Sequence, residues 1–248
     1  NSLEKYSVVI LAAGTGGRMG KIANKIPKCL LKIDNNTILF SIVNKLKSRG
    51  LKELNIVVGY KYKMILSELK KLKNLKINYL VSDDFVNTDS VYSLYLFKNL
   101  LKKIRKNKPI IMLHADVLFD IRFLDNILLS KRKNLIGIRE INSKKLKSNA
   151  LVVKASNQSF VKKICQFKDM NKFTGEIICI NKFTAKMFKN IIEYLKIYFK
   201  NKTKNISWEY VISEFSNNKK LYILKKQTYN WINVNTLKDL RLARKLKI

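Results

Sequence analysis

The segment Val8–Ile33 has the sequence VVILAAGTGGRMGKIANKIPKCLLKI and is the most informative part of the chain. It begins with the apolar run Val8–Ala12, which is typical of a buried β-strand. The loop that follows contains four glycines: Gly14, Gly16, Gly17 and Gly20. Four cations stand within and after this loop: Arg18, Lys21, Lys25 and Lys28. Glycine lets a backbone approach a ligand without an intervening Cβ, and exposed N–H groups in such a loop attract anions. Strand, glycine loop and spaced cations together indicate a phosphate site.

The length of the chain, 248 residues, is enough for a sizeable core in one large domain. No apolar run reaches the roughly 18–20 residues of a membrane span, and we recognise no signal peptide, so we expect a cytoplasmic protein. The three cysteines are far apart and lack metal-ligand spacing, which favours reduced thiols. Because the first residue is Asn rather than Met, excision from a longer protein is one explanation of where the chain starts.

The net charge of +34 calls for an explanation. Such a charge attracts polyanions, which would suit a protein that binds nucleic acid or a membrane surface. However, only eight of the 51 basic residues are arginines, whereas proteins that read nucleic acids rely heavily on arginine for bidentate contacts. We therefore interpret the charge as a compositional bias and expect no specific nucleic-acid partner, while an acidic partner stays open.

The first half of the chain alternates between predicted strands and helices. The strands are Val8–Ala12, Leu54–Val58, Ile77–Val81 and Ile110–Leu113. The helices are Ile38–Arg49, Tyr62–Leu72 and Val91–Ile104, the last with Thr88 or Asp89 as its N-cap. This alternation is the signature of right-handed βαβ units and a largely parallel sheet, so the predicted fold class is α/β. Ligands of such sheets bind beyond the carboxyl ends of the strands, where we place both the glycine loop and Asp116.

The second half is less regular. Short strands with antiparallel pairing are predicted over Leu135–Glu140, Ala150–Ala155, Phe160–Phe167 and Gly175–Ile180. They are followed by helices Ala185–Lys200 and Trp208–Phe215, strands Leu221–Lys225 and Trp231–Val234, and a closing helix Thr236–Lys247 capped by Asn235 or Thr236. Because there is no internal repeat and no linker rich in Pro, Gly and Ser, we expect residues 1–248 to form a single domain.

The glycine loop differs from two common phosphate-binding motifs. A Walker A loop requires GxxxxGK followed by Ser or Thr, but Ile22 follows Lys21 here. The dinucleotide fingerprint GxGxxG fails because Met19 occupies the position of its last glycine. The remaining pattern is LAAGTGGRMG followed by Pro27-Lys28-Cys29-Leu30. It resembles the nucleotidyltransferase superfamily, whose signature is LAAGxGxRx, a spacer and PKxL, and whose members join a nucleoside triphosphate to a sugar phosphate or alcohol phosphate.

Further matches extend this resemblance over nearly the whole chain. TDSVYSL, Thr88–Leu94, resembles the helix start that cradles the base, closest to the form in phosphocholine and 2-aminoethylphosphonate cytidylyltransferases. The other matches are the metal aspartate (Asp116 in HADVLFD), two substrate-side segments (Phe173-Thr174-Gly175 and Ser207-Trp208-Glu209) and the closing strand with a second metal ligand (WINVNT, Trp231–Thr236). Two positions depart from the phosphocholine enzymes: Asn235 replaces an Asp, as in related uridylyltransferases, and Asp89 replaces an Asn.

The resemblance implies a Rossmann-like three-layer sandwich with a mixed, mainly parallel central sheet, as in GT-A-like nucleotidyltransferases. Residues 1–120 would form the nucleotide-binding half and residues 121–248 the acceptor-binding half. Arg18 and Lys28 would be catalytic, and Asp116 and Asn235 would bind Mg²⁺. The nucleotide would contact Leu11, Ala12, Ala13, Gly14, Thr15, Gly16, Arg18, Asp89, Ser90 and Ala115. The acceptor would contact Lys28, Gly175, Trp208, Glu209 and Tyr229, whereas we interpret the lone His114 as a packed residue rather than a catalyst.

The implied reaction is attack of an acceptor anion on a nucleoside triphosphate with release of pyrophosphate. The DSVYS helix start and the compact length favour CTP, with phosphocholine or 2-aminoethylphosphonate as acceptor. A sugar- or polyol-phosphate nucleotidyltransferase that uses UTP, CTP or dTTP is the first alternative, and a non-catalytic basic module that binds nucleotide or RNA is the second. A glycosyltransferase of related fold is disfavoured, because sugar transfer presents no incoming phosphate to Lys28. The oligomeric state stays open, with a dimer as one option.

Overall fold

The structure is a computed structural model, and it describes residues 2–101, 107–226 and 229–246. The elements of the first half are β1 (Ser7–Ala12), β2 (Lys32–Ile33), β3 (Asn36–Thr37), α1 (Ile38–Lys47), β4 (Glu53–Val58), α2 (Tyr62–Lys70), β5 (Lys76–Val81), α3 (Ser90–Leu96), β6 (Ile110–His114), β7 (Val117–Phe119) and α4 (Ile121–Leu129). Those of the second half are β8 (Leu135–Arg139), β9 (Leu151–Ala155), β10 (Val161–Gln166), β11 (Gly175–Phe183), α5 (Ala185–Tyr198), α6 (Trp208–Ser216), β12 (Tyr222–Lys226), β13 (Trp231–Asn233) and α7 (Leu237–Lys245).

Parallel strands form the first half of the central sheet. β1 pairs with β4 and β6, and β4 pairs with β5. All six residues of β1 are buried, as its apolar run predicts, and its register aligns Ala12 with Val58 and Leu11 with His114. The carboxyl ends of β1, β4 and β6 therefore meet at one edge of the sheet. A backbone hydrogen bond of 3.0 Å from the Ala115 N–H to the Leu11 carbonyl extends this arrangement beyond the strands.

The second half continues the same sheet through β11. This strand pairs antiparallel with β6, β8 and β9, and all nine of its residues are buried. β10 adds to β9 in the antiparallel sense, whereas β12 pairs with β8 in parallel. The central sheet is thus mixed, which confirms the predicted α/β fold class and the antiparallel character of the second half.

A short ribbon outside the central sheet brings the C-terminal region to the carboxyl edge of the parallel strands. β7 and β13 pair antiparallel, with Val117 opposite Asn233. Beyond this pair, the Val234 N–H donates to the Asp116 carbonyl at 2.9 Å. α7 begins directly afterwards with Thr236 as its N-cap. The ribbon therefore delivers Asn235 to the loop that carries Asp116.

Several elements differ from the prediction. The helix predicted over Val91–Ile104 is shorter: α3 ends at Leu96 and a 3₁₀ turn covers Phe97–Asn99, while the end of the prediction falls within residues 102–106, outside the described residues. The predicted closing helix ends at Lys247, which also lies outside them. β7 and α4 have no counterpart among the predicted elements. A strand of three residues is too short to show a period. The apolar periodicity of α4 and its N-cap Asp120 are local signals that the prediction missed. In the described part of the chain, no helix combines the length and the apolar character that crossing a bilayer requires.

Candidate active site

The glycine loop leaves β1 at the carboxyl edge of the sheet and turns into a 3₁₀ segment, Gly17–Ile22. Gly14 is exposed, and Gly16 caps the 3₁₀ segment with a left-handed backbone at φ +72°. A Cβ on Gly16 would lie 2.8 Å from the Cβ of Lys28. The absence of a side chain at Gly16 therefore lets Lys28 approach the loop closely.

Four of the predicted site residues meet at this edge. Lys28 follows Pro27 in the 3₁₀ turn Lys28–Leu30, and its Nζ lies 2.5 Å from Asp116 Oδ2. The same Nζ donates a hydrogen bond of 2.9 Å to Asn235 Oδ1. Arg18 Nη2 donates to that amide oxygen as well, at 2.8 Å. The structure thus joins the predicted catalytic pair and the predicted metal pair in one polar cluster.

Asp116 is the carboxylate of this cluster. Burial favours its neutral form, but the nearby charge of Lys28, with further contributions from His114 and from the Lys28 hydrogen bond, outweighs burial, so the pKa of Asp116 lies below its usual range. Asp116 is therefore ionised at neutral pH. Its second oxygen, Oδ1, is buried and has no hydrogen-bond partner among the described residues. A carboxylate oxygen without a partner beside the Asn235 amide oxygen is a hard oxygen donor set, and such a set suits Mg²⁺.

A capping box at the start of α7 holds Asn235 in place. Asp239 is fully buried, and its Oδ2 accepts hydrogen bonds from the Asn235 N–H at 3.1 Å and the Thr236 N–H at 2.9 Å. Its other oxygen pairs with the Lys147 ammonium, from the segment before β9. Burial alone would raise the pKa of Asp239, but hydrogen bonds from Lys147 and Thr236 lower it. The side chain of Asp239 in the capping box is therefore an ionised carboxylate at neutral pH. The sequence signal for this cap is T-x-x-D at residues 236–239.

The predicted base-side residues lie at the start of α3. Asp89 is exposed, and its side chain caps the helix by accepting from the Ser90 N–H. Ser90 Oγ accepts a hydrogen bond of 3.1 Å from the Trp208 N–H. The Asp89 N–H in turn donates to the Lys204 carbonyl at 3.0 Å. The start of α3 is thus fastened to the segment that leads into α6.

Trp208 and Glu209, which are predicted to contact the acceptor, belong to a buried network that includes His114. They are exposed by only 0% and 1%, respectively. The Trp208 indole N–H donates to His114 Nε2 at 2.7 Å, and Glu209 Oε1 lies 3.6 Å from that same nitrogen. Cys179 and Ser207 complete the network through the two oxygens of Glu209. His114 is packed, as predicted, but it also links α6 to the strand end that carries Asp116.

The structure places the other two predicted acceptor residues in packing contacts. A Cβ on Gly175 would lie 2.5 Å from the Arg139 carbonyl oxygen, so this glycine serves close packing within the sheet. The Tyr229 ring packs against Phe123 of α4, with ring centroids 5.2 Å apart. Tyr229 precedes β13 and Asn235 follows it, so the two residues lie at opposite ends of the β7–β13 ribbon. Neither contact points to a ligand.

An ion pair in the second half of the chain has no counterpart in the predicted site. Two nitrogens of Arg139 lie 2.7 Å and 2.6 Å from Glu176 Oε2. The guanidinium also lies over the Trp231 ring, 4.6 Å from its centroid. Burial raises the pKa of Glu176, while the nearby charge of Arg139 opposes this. A lone Arg on one strand and a lone Glu on another give no sequence signal for this pair.

The chain matches a model of the nucleotidyl transferase family over residues 7–245. Among curated relatives, the bifunctional protein GlmU of Methanococcus aeolicus is 29% identical over 189 residues, which cover 76% of this chain and 42% of the relative. The CTP:phosphoglutamine cytidylyltransferase of Campylobacter jejuni is 30% identical over 119 residues, covering 46% and 44% of the two chains. For the choline-phosphate cytidylyltransferase of Streptococcus pneumoniae the identity is 30% over 93 residues, with coverage of 38% and 39%. The chain therefore spans less than half the length of each of these three relatives.

Two solved structures are similar along almost the whole chain. The inositol-1-phosphate CTP transferase from T. maritima has a TM-score of 0.77 at 17% identity and covers 98% of this chain and 97% of that one. The CTP:phosphocholine cytidylyltransferase from Streptococcus pneumoniae has a TM-score of 0.76 at 18% identity, with coverage of 97% and 98%. At these identities the likeness shows the fold.

Proposed function

The chain belongs to the nucleotidyl transferase family, and on this premise we propose that it is a Mg²⁺-dependent cytidylyltransferase. In this proposal it joins CTP to a small phosphate or phosphonate acceptor, phosphocholine or 2-aminoethylphosphonate, and releases pyrophosphate. One observation carries the proposal: Lys28 and Arg18, from the glycine-loop region, reach Asn235 near the other end of the chain. This contact assembles cations, a carboxylate and an amide at the carboxyl edge of the sheet, where α/β proteins bind their ligands.

The nucleotide side of the site is suited to a triphosphate. The N–H groups of Ala13, Gly14 and Thr15 would bind phosphate oxygens, since a glycine loop after a strand presents backbone donors to anions. Arg18 is exposed at the same loop and would bind the phosphates through charge-assisted hydrogen bonds. These groups would hold the triphosphate in one orientation relative to Lys28.

Lys28 would then act between the two reacting anions. An acceptor oxygen attacks the α-phosphorus of CTP, and a new P–O bond forms as the bond to the pyrophosphate oxygen breaks. The ammonium of Lys28 would reduce the repulsion between the acceptor and the α-phosphate, so the reaction depends on positioning and charge more than on proton transfer. No general base is needed because the acceptor is already an anion. Mg²⁺ held by Asp116 and Asn235 would neutralise negative charge on the phosphates.

Two features support cytidine. The DSVYS segment forms the start of α3, where Ser90 is held by the Trp208 N–H, so polar groups are fixed in place near the carboxyl edge. In addition, two of the three curated relatives described above are named as cytidylyltransferases. The GlmU relative aligns with a larger share of the chain, 76%, and its name specifies no nucleotide.

The contacts of Arg139 with Trp231 and Glu176 bear on the choice of acceptor. A choline or ammonium head group binds against aromatic faces and near carboxylates. The acceptor half offers such groups in Trp231 and Glu176, and Arg139 already contacts both of them. A cationic head group would therefore compete with Arg139, whereas a sugar phosphate would leave the ion pair intact.

The test is a matrix of four nucleoside triphosphates against phosphocholine, 2-aminoethylphosphonate and sugar 1-phosphates, read out as pyrophosphate. We expect release with CTP and one of the first two acceptors, and loss of release in EDTA. Lys28→Ala and Asp116→Ala should each lower kcat/KM by roughly 10²–10³, the usual effect of removing one electrostatic contact to a reacting group. Lys189→Ala, on the exposed surface of α5, is the control that should retain the wild-type rate.

Two outcomes would overturn the proposal. Release with UTP or dTTP and a sugar phosphate would establish the first alternative. No release in any pairing, together with nucleic-acid binding that weakens steeply with salt, would establish the basic binding module.

A further inference from the structure

Lys28 touches both residues that are predicted to bind the metal. Its Nζ lies 2.5 Å from Asp116 Oδ2 and 2.9 Å from Asn235 Oδ1. The lysine side chain is only 15% exposed, so the ammonium sits inside the cluster rather than on its rim. A cation of this chain thus bridges the two oxygens that a metal ion would use.

We propose that Lys28 acts as a substitute cation at the metal ligands in the nucleotide-free protein and excludes divalent metal until nucleotide phosphates draw it away. This inference rests on the proposed function for the identity of the two ligands. It predicts that the metal and the nucleotide enter together, and that the protein alone has little affinity for the metal.

The charge of the cluster supports this exclusion. Asp116 is the only carboxylate in direct contact with Lys28 among the described residues, and the ion pair neutralises it. Arg18 adds a second positive charge at Asn235 Oδ1. A divalent ion approaching these oxygens would meet two cations and one anion. Because Mg²⁺ sites in such enzymes combine one or two carboxylates with substrate phosphates, this donor set is incomplete by itself.

A nucleotide would change this balance. Its phosphate oxygens carry several negative charges, so they attract Lys28 and Arg18 more strongly than the neutral Asn235 amide oxygen does. Lys28 would then leave Asp116 for the phosphates, where the proposed reaction needs it. Asp116 Oδ2 would be freed, next to an Oδ1 that already has no partner among the described residues. Movement of Lys28 to the phosphates would thus place the lysine for the reaction and also free the metal ligands.

The experiment measures Mn²⁺ binding by electron paramagnetic resonance of the free ion, with no nucleotide present. We expect weak binding to the wild type and a dissociation constant roughly tenfold lower or more for Lys28→Met, because a positive charge next to the ion is removed. Lys28→Gln should act in the same direction. Lys189→Met, from the exposed surface of α5, is the matched control and should behave as the wild type. Adding Asp116→Asn to Lys28→Met should abolish the gain, and circular dichroism would confirm that each variant is folded.

Wild-type protein that binds Mn²⁺ as tightly as folded Lys28→Met would overturn the inference. So would a gain that survives Asp116→Asn. Because no nucleotide is present, the result does not depend on turnover. A protein without pyrophosphate release but with the Lys28→Met gain would refute the proposed function alone, whereas active enzyme without the gain would refute the inference alone.

Discussion

At Gly16 the backbone has a φ of +72°, a left-handed conformation that residues with a Cβ rarely adopt. The neighbouring atom is the Cβ of Lys28, which would lie 2.8 Å from an added Cβ. Because a Cβ is fixed to the backbone, it cannot move away as the end of a flexible side chain can. The position of Lys28, and with it the contact to Asp116, therefore depends on a glycine at this point of the loop.

Gly16→Ala should lower the free energy of unfolding by roughly 1–2 kcal/mol through left-handed strain. It should also lower kcat/KM by about 100-fold, because a displacement of about 1 Å at a reacting group has that effect. Urea denaturation and pyrophosphate release would measure the two effects. Gly14→Ala is the control for stability, since its φ is not positive and its Cβ would have no neighbour within 4 Å. Equal stability of the two variants would refute the argument.

At the scale of single elements, α4 shows how a cap links a helix to the ribbon. Asp120 Oδ1 accepts the Arg122 N–H at 2.9 Å, and its carboxylate also pairs with the Arg122 guanidinium. The Asp120 N–H donates to the carbonyl of Asn230, the residue just before β13, at 2.8 Å. Hydrogen bonds from Arg122 lower the pKa of Asp120 against the opposing effect of burial. The cap is therefore a carboxylate at neutral pH.

Asp120→Ala should cost about 1 kcal/mol of stability at pH 7, the usual value of an N-cap. A carboxyl group whose pKa is lower in the folded state stabilises the protein fully above its unfolded pKa of about 3.9. This contribution is lost as the pH falls through the folded pKa, so the stability gap between wild type and variant should narrow below about pH 3.9. Urea unfolding across this range would measure the gap, with Asp83→Ala in an exposed loop as the control. A gap that is constant with pH would contradict the prediction.

At the scale of the whole molecule, packing buries all three cysteines: Cys29 and Cys179 lie in the main core, and Cys165 lies in a small separate cluster with Val152 and Met170. Cys29, Cys165 and Cys179 are each exposed by less than a tenth and form no disulfide. Burial raises the pKa of Cys29 to about 12, and it also raises the pKa of the other two thiols. The thiolate is the reactive form of cysteine. Packing therefore slows the reaction of these residues with reagents in two ways: it blocks access to the sulfur, and it keeps the thiol protonated.

Labelling with a thiol reagent at pH 8 should therefore be slow in the folded protein and complete in the denatured protein. Since access requires global opening, the labelling rate should rise with urea in parallel with the unfolding measured by circular dichroism. Rapid reaction of one thiol in the absence of urea would show that its site opens locally. Mass spectrometry of the labelled peptides would identify that cysteine.

The charge is also a property of the whole molecule, and part of it serves the fold. Lys45 donates to the Phe119 carbonyl at 2.7 Å, and Lys182, which is almost fully buried, donates to the Ser130 carbonyl at 2.8 Å. Burial lowers the pKa of both lysines, that of Lys45 to about 8. These two lysines satisfy backbone acceptors inside the fold, so they are not part of a surface for a polyanion.

The sequence by itself determined the local features. β1 and its glycine loop could be predicted because an apolar run and a set of glycines are properties of neighbouring residues. The same holds for the strand–helix alternation and the cap at Asp89, which depend on periodicity and on single polar side chains. The family signature could be recognised for this reason too, since LAAGTGGRMG and PKCL are short and contiguous.

Only the tertiary structure decided which of these residues meet. The contact of Arg18 and Lys28 with Asn235 depends on the pairing of β13 with β7. A strand at β13 is predicted, but β7 is not, and a sequence does not show which strands pair. The sequence also could not show that Trp208 is buried against His114, because its pattern does not distinguish an aromatic residue in a core from one that lines a pocket. Local propensity depends on neighbours in the chain, whereas a site depends on contacts across long sequence separations, and packing of the whole sheet determines those contacts.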